Sequence, residues 1–430
     1  MPRALLALSL TLTLTLSARA GTSNSLMDVS PDGARLVVAN TDTGSVSVVD
    51  LKGRKLLCEV PVGDHPEGAS WVGNGPLAVV TVWGDDKLVF LDADAGKVAF
   101  TLAVDDEPYG VVVTRDGKFA YVTHDYPGTV AEIDVENRKV LRTFKAGECV
   151  RGIALSRDEA TIYVTEFYTA RLIALDRASG KVVDTWVGGE SENLCRNVVL
   201  HPKWDKAYLP HIRSRVTGFD ARGSVFGQLA VCDLGPANDA AERRRPHSAD
   251  TFNGVLVVSN PWEVALTPDG SRMYMLHSGT DDLNVFTPLN DSYRDADTDG
   301  RPVALRGRHP RAIRVSPDGK ELYVYHTLDF EVAVYDLTAR NKLGSVKVCT
   351  PPHTPEWRRG KELFFTAKPP MGSIKWISCA SCHPDGLTDR RVWQNPEGNR
   401  RTPNLFGLAH THPLHWSADR DEVQDFEYTI

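Results

Sequence analysis

Residues Cys379-Ala380-Ser381-Cys382-His383 place two thiols three positions apart with an imidazole directly after the second. Three kinds of chemistry use such a set. Zinc would want a second ligand pair at finger-like spacing. A dithiol redox pair belongs in a βαβ context, which is absent around residue 379, and has no need of the imidazole. Covalent haem uses all three groups: thiols one helical turn apart reach two vinyl groups, and the adjacent imidazole becomes the proximal iron ligand. The spacing therefore predicts haem c held by Cys379, Cys382 and His383.

The second axial position is open. No methionine follows His383; His410, His412 and His415 lie downstream and Met371 upstream. His415 is the expected distal ligand, with a water-bound or open iron as the competing expectation. A separate hard-ligand signal is Asp295-Ala296-Asp297-Thr298-Asp299-Gly300. Its alternate carboxylates Asp295, Asp297 and Asp299 match the first half of a calcium loop, although Arg306 stands where an EF-hand needs Glu. Calcium and a solvated acidic hairpin are both open readings.

The elements that must position these groups come from a repeat. Ser30-Pro31-Asp32-Gly33 recurs at Thr114–Gly117, Ser156–Glu159, Thr267–Gly270 and Ser316–Gly319, with weaker copies at Val72–Gly75 and His201–Asp205. β-rich runs such as Phe119–Thr123 and Leu322–Tyr325 follow each turn, and second runs end in Asp50, Asp176 and Asp336. Four short strands per unit of about 42 residues is propeller-blade spacing. The fold class expected is an all-β seven-bladed propeller from about Met27 to Val348, with a small C-terminal α-helical cytochrome c domain. Between residues 233 and 261 a polar stretch containing Arg243-Arg244-Arg245-Pro246 interrupts the period and reads as a surface insertion. The wording of the repeats, above all Tyr121-Val122-Thr123 and Tyr163-Val164-Thr165, resembles the YVTN-type bacterial propeller repeat.

Aligned in register, the copies carry Asn40, Val82, His124, Glu166, His211, His277 and His326 just after the second strand. Just before the first strand they carry Glu67, Tyr109, Arg151, Arg196, Trp262 and Arg311. Antiparallel neighbours bring both sets to one mouth of the central channel. One reading makes them turn caps and surface ion pairs. The other makes the mouth a site, with His124, His211, His277 and His326 binding metal or moving protons beside an arginine cluster.

The first twenty residues, Arg3, an apolar run and Ala18-Arg19-Ala20, read as an export signal. The organisation expected is a signal at 1–20, the propeller at 21–350 and a haem domain at 351–430, in a periplasmic or secreted protein with no later membrane span. Forty-nine basic against 56 acidic residues, net charge −7, exclude the electrostatic footprint of a nucleic-acid binder. Cys149 and Cys195 share a register in adjacent units and could pair; Cys58, Cys232 and Cys349 read as single buried cysteines.

Gly360-Lys361-Glu362-Leu363-Phe364, the segment from Ile377 to Gly386, and Arg401–Leu405 leading to His412–Trp416 resemble the bacterial di-haem cytochrome c peroxidase and MauG group. The resemblance implies electron transfer with a redox partner protein or small-molecule oxidant, or a peroxidase-like activity. No second Cys-x-x-Cys-His is present, and the chain ends in mid-pattern, as a truncated or mono-haem module would. A third function class is a propeller that binds a partner.

Overall fold

In the computed structural model the described residues are 24–216, 225–236, 242–248, 257–289, 291–295, 301–372, 375–395, 398–422 and 425. They form seven antiparallel sheets of four or five strands, and a separate two-stranded hairpin. The expected period is met: blade 1 runs from Met27 to Pro61, blade 2 from Pro66 to Ala103, blade 3 from Pro108 to Lys145 and blade 4 from Val150 to Trp186. Blade 5 spans Glu192 to Ser248, blade 6 Pro261 to Ala304, and blade 7 Pro310 to Lys347. The expected signal segment lies outside the described residues.

The burial gradient explains the strand compositions. Inner strands such as Pro108–Val113 and Val150–Leu155 are buried throughout, whereas the outer strand Lys97–Ala103 alternates between exposed and half-buried positions. A strand packed on both faces must be continuously apolar or small; one at the rim need be apolar only on alternate residues.

The recurring turn has a chemical cause. In each strong copy a hydroxyl donates to a carboxylate two residues on: Ser30 to Asp32, Thr114 to Asp116, Ser156 to Asp158, Thr267 to Asp269 and Ser316 to Asp318, at 2.5–2.6 Å. The same Asp32 carboxylate accepts from the Ala34 amide at 3.0 Å, while Gly33 supplies the positive φ (+72°) that lets the chain reverse. These bonds hold the acids below the usual carboxylate range, as at Asp32, where the Ser30 hydroxyl is the largest influence.

The threonines of the repeat stitch blades together. Thr123 Oγ1 donates to Arg151 O of the next blade at 2.8 Å and accepts from Gly110 N at 2.9 Å. Thr81 repeats this with Tyr109 O (2.7 Å) and Gly68 N (2.7 Å). A Cβ on Gly110 would come within 2.5 Å of Arg151 O, so that position admits only glycine. These ties fix the inner strands relative to one another and hence the residues they show to the channel.

Two expectations need correction. The basic run is not a loop in an insertion: Arg244–Ser248 is the outer strand of blade 5. Each arginine there finds an acid: Arg243 binds Asp184 (2.5 Å), Arg244 binds Glu192 (2.5 Å) and Arg245 binds Asp291. Residues 249–256 lie outside the described residues. After Val348, a helical cytochrome module is not shown. Among the described residues there are only helix α1 (Pro355–Phe365), the one-turn helix α2 (Cys379–Cys382), two three-residue helical turns and the hairpin Val392–Asn395/Gly398–Arg401. This segment lies against the propeller: Ala367 N donates to Gly279 O at 2.8 Å and Arg308 pairs with Glu362 at 3.1 Å.

Thr123→Val keeps the shape of the side chain but strips two buried backbone groups of their partner. We expect a loss of about 1–3 kcal/mol in unfolding free energy, measured by urea denaturation; an unchanged midpoint and slope would contradict the stitching role.

Candidate functional site

The channel mouth is built by one repeat position. Glu67, Tyr109, Arg151, Trp262 and Arg311 are each the second residue of an inner strand. Blade 5 supplies Arg196 from the irregular stretch between Glu192–Asn193 and Val199–Leu200. Together with Asn24, Ser25 and Leu26, most of these line a small cavity, partly open to solvent. The segment from Asn24 to Leu26 crosses the channel. Asn24 bonds to Ile153 on blade 4 (2.9 and 3.1 Å) and to Asn197 (2.7 Å), while Ser25 bonds to Glu263 (3.0 Å) and to the Ala69 amide of blade 2 (2.9 Å).

Two guanidinium groups, of Arg196 and Arg311, line this cavity, and a third, of Arg151, lies behind its Tyr109 ring at 4.8 Å. Arg151 is satisfied: it meets Asp125 at 2.6 Å and lies 3.7 Å over the Phe167 ring. Arg196 and Arg311, each 6% exposed at the side chain, both lie over the Trp262 ring, 4.0 and 4.3 Å from its centroid. Arg311 faces Glu67 at 3.5 Å. A buried cation without a counter-charge costs several kcal/mol, so the remaining charge must be met from elsewhere.

It is met from the thiol segment. Asp385, two residues after His383, reaches Arg196 at 3.3 Å and Arg311 at 3.9 Å. Burial opposes its charge, but Arg311, Arg196 and Arg151 outweigh burial and hold its carboxyl well below the usual carboxylate range. To point there Asp385 adopts φ +53°, a left-handed conformation that costs a non-glycine residue about 1 kcal/mol or more. Burial, with Glu67 beside it, pushes the Tyr109 phenol up to about 12, so it stays a neutral donor.

The segment around Asp385 is anchored on both sides. Asn260, at the start of blade 6, donates to Ser378 Oγ and accepts from Ser381 Oγ, both at 2.9 Å, locking the first turn of α2. Arg391 donates to the Glu190 and Glu192 carbonyls at 2.6 and 2.7 Å, and Asp389 N to Cys382 O at 3.0 Å. Cys382 packs against a buried group that includes Phe167 and Leu194. Cys379 and Cys382 are free thiols whose acidity burial weakens. His383 lies beside them, its Nδ1 3.0 Å from Pro403 O, which fixes the Nδ1–H tautomer and leaves Nε2 as a lone-pair donor. The backbone then folds back, with Leu405 N on Gly386 O at 2.9 Å, and exposes Phe406 (68%) and Trp416 (54%).

The histidine set is not brought together as a metal site. His124, His211, His277 and His326 are fully buried, and each uses a partner in its own blade. His124 contacts Thr129 (3.2 Å), His211 the Leu209 carbonyl (2.9 Å) and Glu192 (3.2 Å), His277 Asp282 (2.9 Å), and His326 the Tyr335 hydroxyl (3.3 Å). Among the described residues no three His, Cys, Asp or Glu side chains converge to hold a metal. Cys149 and Cys195 are also free thiols, packed in different apolar groups. Of the calcium loop, Asp295 ends the strand Ser292–Asp295, and Asp297 and Asp299 lie outside the described residues. His415 is tied through Nδ1 to Asp419 at 2.8 Å. Sequence reasoning named the six mouth residues but missed Asp385, whose signal was only its closeness to His383.

Fold and mouth together define a seven-bladed β-propeller with its C-terminal segment seated over one end of the channel. A family model described as outer membrane protein assembly factor BamB matches residues 42–191, within blades 1–4. Among solved structures, Kuenenia stuttgartiensis hydrazine synthase is similar at TM-score 0.64 and 20% identity, over 73% of this chain and 96% of that one. A protein of unknown function from Desulfotomaculum acetoxidans is similar at TM-score 0.54 and 14% identity, over 72% and 94%. The Cps50 (Swd1) β-propeller domain of Myceliophteria thermophila is similar at TM-score 0.55 and 12% identity, over 74% and 98%. At these identities the likeness is one of fold. Comparison with curated proteins finds no match. No helix among the described residues is long and apolar enough to cross a membrane.

The buried His326 ring gives the fold a pH dependence. Burial pushes His326 down to about 4, so below the ordinary value near 6.5 the unfolded chain takes up a proton that the native ring refuses. Its contribution is complete above pH 6.5 and is lost as pH falls from about 6.5 to about 4, by about 3 kcal/mol. Urea titrations across that window should show a shallower pH slope for His326→Phe; an identical slope would contradict a neutral buried ring.

Proposed function

We propose that the chain is an exported c-type haem protein that transfers single electrons, with the propeller as its scaffold. Cys379 and Cys382 would each add an S–H across a vinyl group, sulfur to one carbon and hydrogen to the other, so attachment needs no oxidant. His383 would supply the proximal iron ligand. The observation that carries the reading is the hydrogen bond from His383 Nδ1 to the Pro403 carbonyl, which orients the ring and frees Nε2.

Two further features support it. Residues 378–391 are anchored on the propeller through Asn260, through the Arg196–Asp385 contact and through Arg391 on the Glu190 carbonyl, which supports the donor set. Phe406 and Trp416 leave apolar surface uncovered near the same segment, the kind of wall a flat macrocycle covers. When bound, haem supplies one-electron exchange between ferric and ferrous iron. The chain's own residues hold, orient and partly shield it, with His415 the proposed distal ligand. The partner is proposed to be a redox protein or a small oxidant, in the periplasm or secreted medium, after removal of residues 1–20.

Full-length protein exported from a host with haem-attachment machinery should weigh one haem more than its polypeptide and show a c-type α-band on reduction. Cys379→Ser with Cys382→Ser should abolish both, and His383→Ala should keep the added mass while shifting the spectrum. Bare polypeptide mass in the unsubstituted protein would overturn the proposal.

A further inference from the structure

We propose that the channel mouth is a binding site for a small planar monoanion, such as formate or acetate, and that the Asp385 carboxylate is the tethered occupant such an anion displaces. The site is built but underused. The Arg311 guanidinium makes no hydrogen bond among the described residues, and its two ion contacts are 3.5 and 3.9 Å. Arg196 donates one bond, at 3.3 Å. Charge-assisted pairs with free geometry close to about 2.7–2.9 Å. The tethered carboxylate therefore reaches the two guanidinium groups without satisfying them.

Three buried polar atoms here have no partner: Arg196 Nε, Arg311 Nε and Asn197 Oδ1. Two of the three, the Nε–H groups of Arg196 and Arg311, are donors on side chains more than nine-tenths buried, and such donors are expected to be paired. Two planar forks near one point suit a flat two-oxygen acceptor better than a spherical ion.

Charge and shape set the class of ligand. Arg151 is neutralised by Asp125, which leaves Arg196 and Arg311 against Glu67 once Asp385 withdraws. The excess is one positive charge, which selects a monoanion. Asn24–Leu26 cross the channel at this cavity and limit the ligand to a small one. The inference stands apart from the haem reading, because every group in it except Asp385 belongs to the propeller or its N-terminal segment, and its readout is anion binding.

The test is calorimetric titration of the full-length exported protein with sodium formate and sodium acetate, at ionic strength balanced with sodium chloride. Asp385→Asn should bind either anion at one site, about tenfold or more tighter than the unsubstituted protein. Adding Arg311→Gln should remove that gain, and succinate should bind more weakly than acetate. A folded Asp385→Asn protein with no saturable heat, or one whose binding survives Arg311→Gln, overturns the proposal. Should Asp385→Asn not fold, the unsubstituted protein decides: formate should raise its melting midpoint more than chloride at equal strength, and equal midpoints overturn it. Loss of haem in any of these proteins bears on the earlier reading and leaves this result intact.

Discussion

Three guanidinium groups held out of water around one axis constrain everything built near them. Each must have a carboxylate within reach, since an unpaired buried charge would cost a sizeable part of a domain's net stability. Asp125 serves Arg151, Glu67 serves Arg311, and Arg196 depends on Asp385 from the far end of the sequence. The last pairing makes residues 378–391 part of the propeller. It also sets how far the Cys379–His383 turn can move, because Asp385 is two residues from the imidazole and is fixed at a strained φ.

The fold was legible in the sequence because its repeating contacts are made by repeated residues. The hydroxyl–carboxylate turn at Ser30/Asp32 recurs in five of the seven blades and the threonine stitch in neighbouring ones, at Thr81 and Thr123, so the period shows in the letters. The mouth set was legible for the same reason: one position, held by five inner strands and matched by Arg196 in blade 5, falls on one circle. What failed were contacts particular to one blade. Arg243, Arg244 and Arg245 looked like a solvated run because their acids, Asp184, Glu192 and Asp291, are distant in sequence and known only once blade 5 is folded. The histidines shared a register, but register fixes height along the blade and not whether a ring faces the channel. His326 faces Tyr335 within its own sheet.

At the candidate haem turn, the sequence held the donor set, and the structure adds its support. Spacing alone could not show that Pro403 would meet His383 Nδ1, or that Asn260 would grip both serines of α2. It also suggested a helical module where the described residues make one sizeable helix, short helical turns and a hairpin. Motif residues survive wherever their local turn is kept; the architecture around them depends on long-range packing that no short motif encodes.

The central claim is that the Asp385–arginine contact seats the thiol segment on the propeller. Hydrogen exchange of the exported protein measures it most directly, at the amides of Gly386, Leu387 and Asp389, which bond to the carbonyls of His383, Pro384 and Cys382. The account predicts slow exchange at these three amides and a marked acceleration in Arg196→Gln, with blades 1–3 unchanged. Equal protection in the two proteins would show that the segment holds its place without the arginine, and would contradict the account.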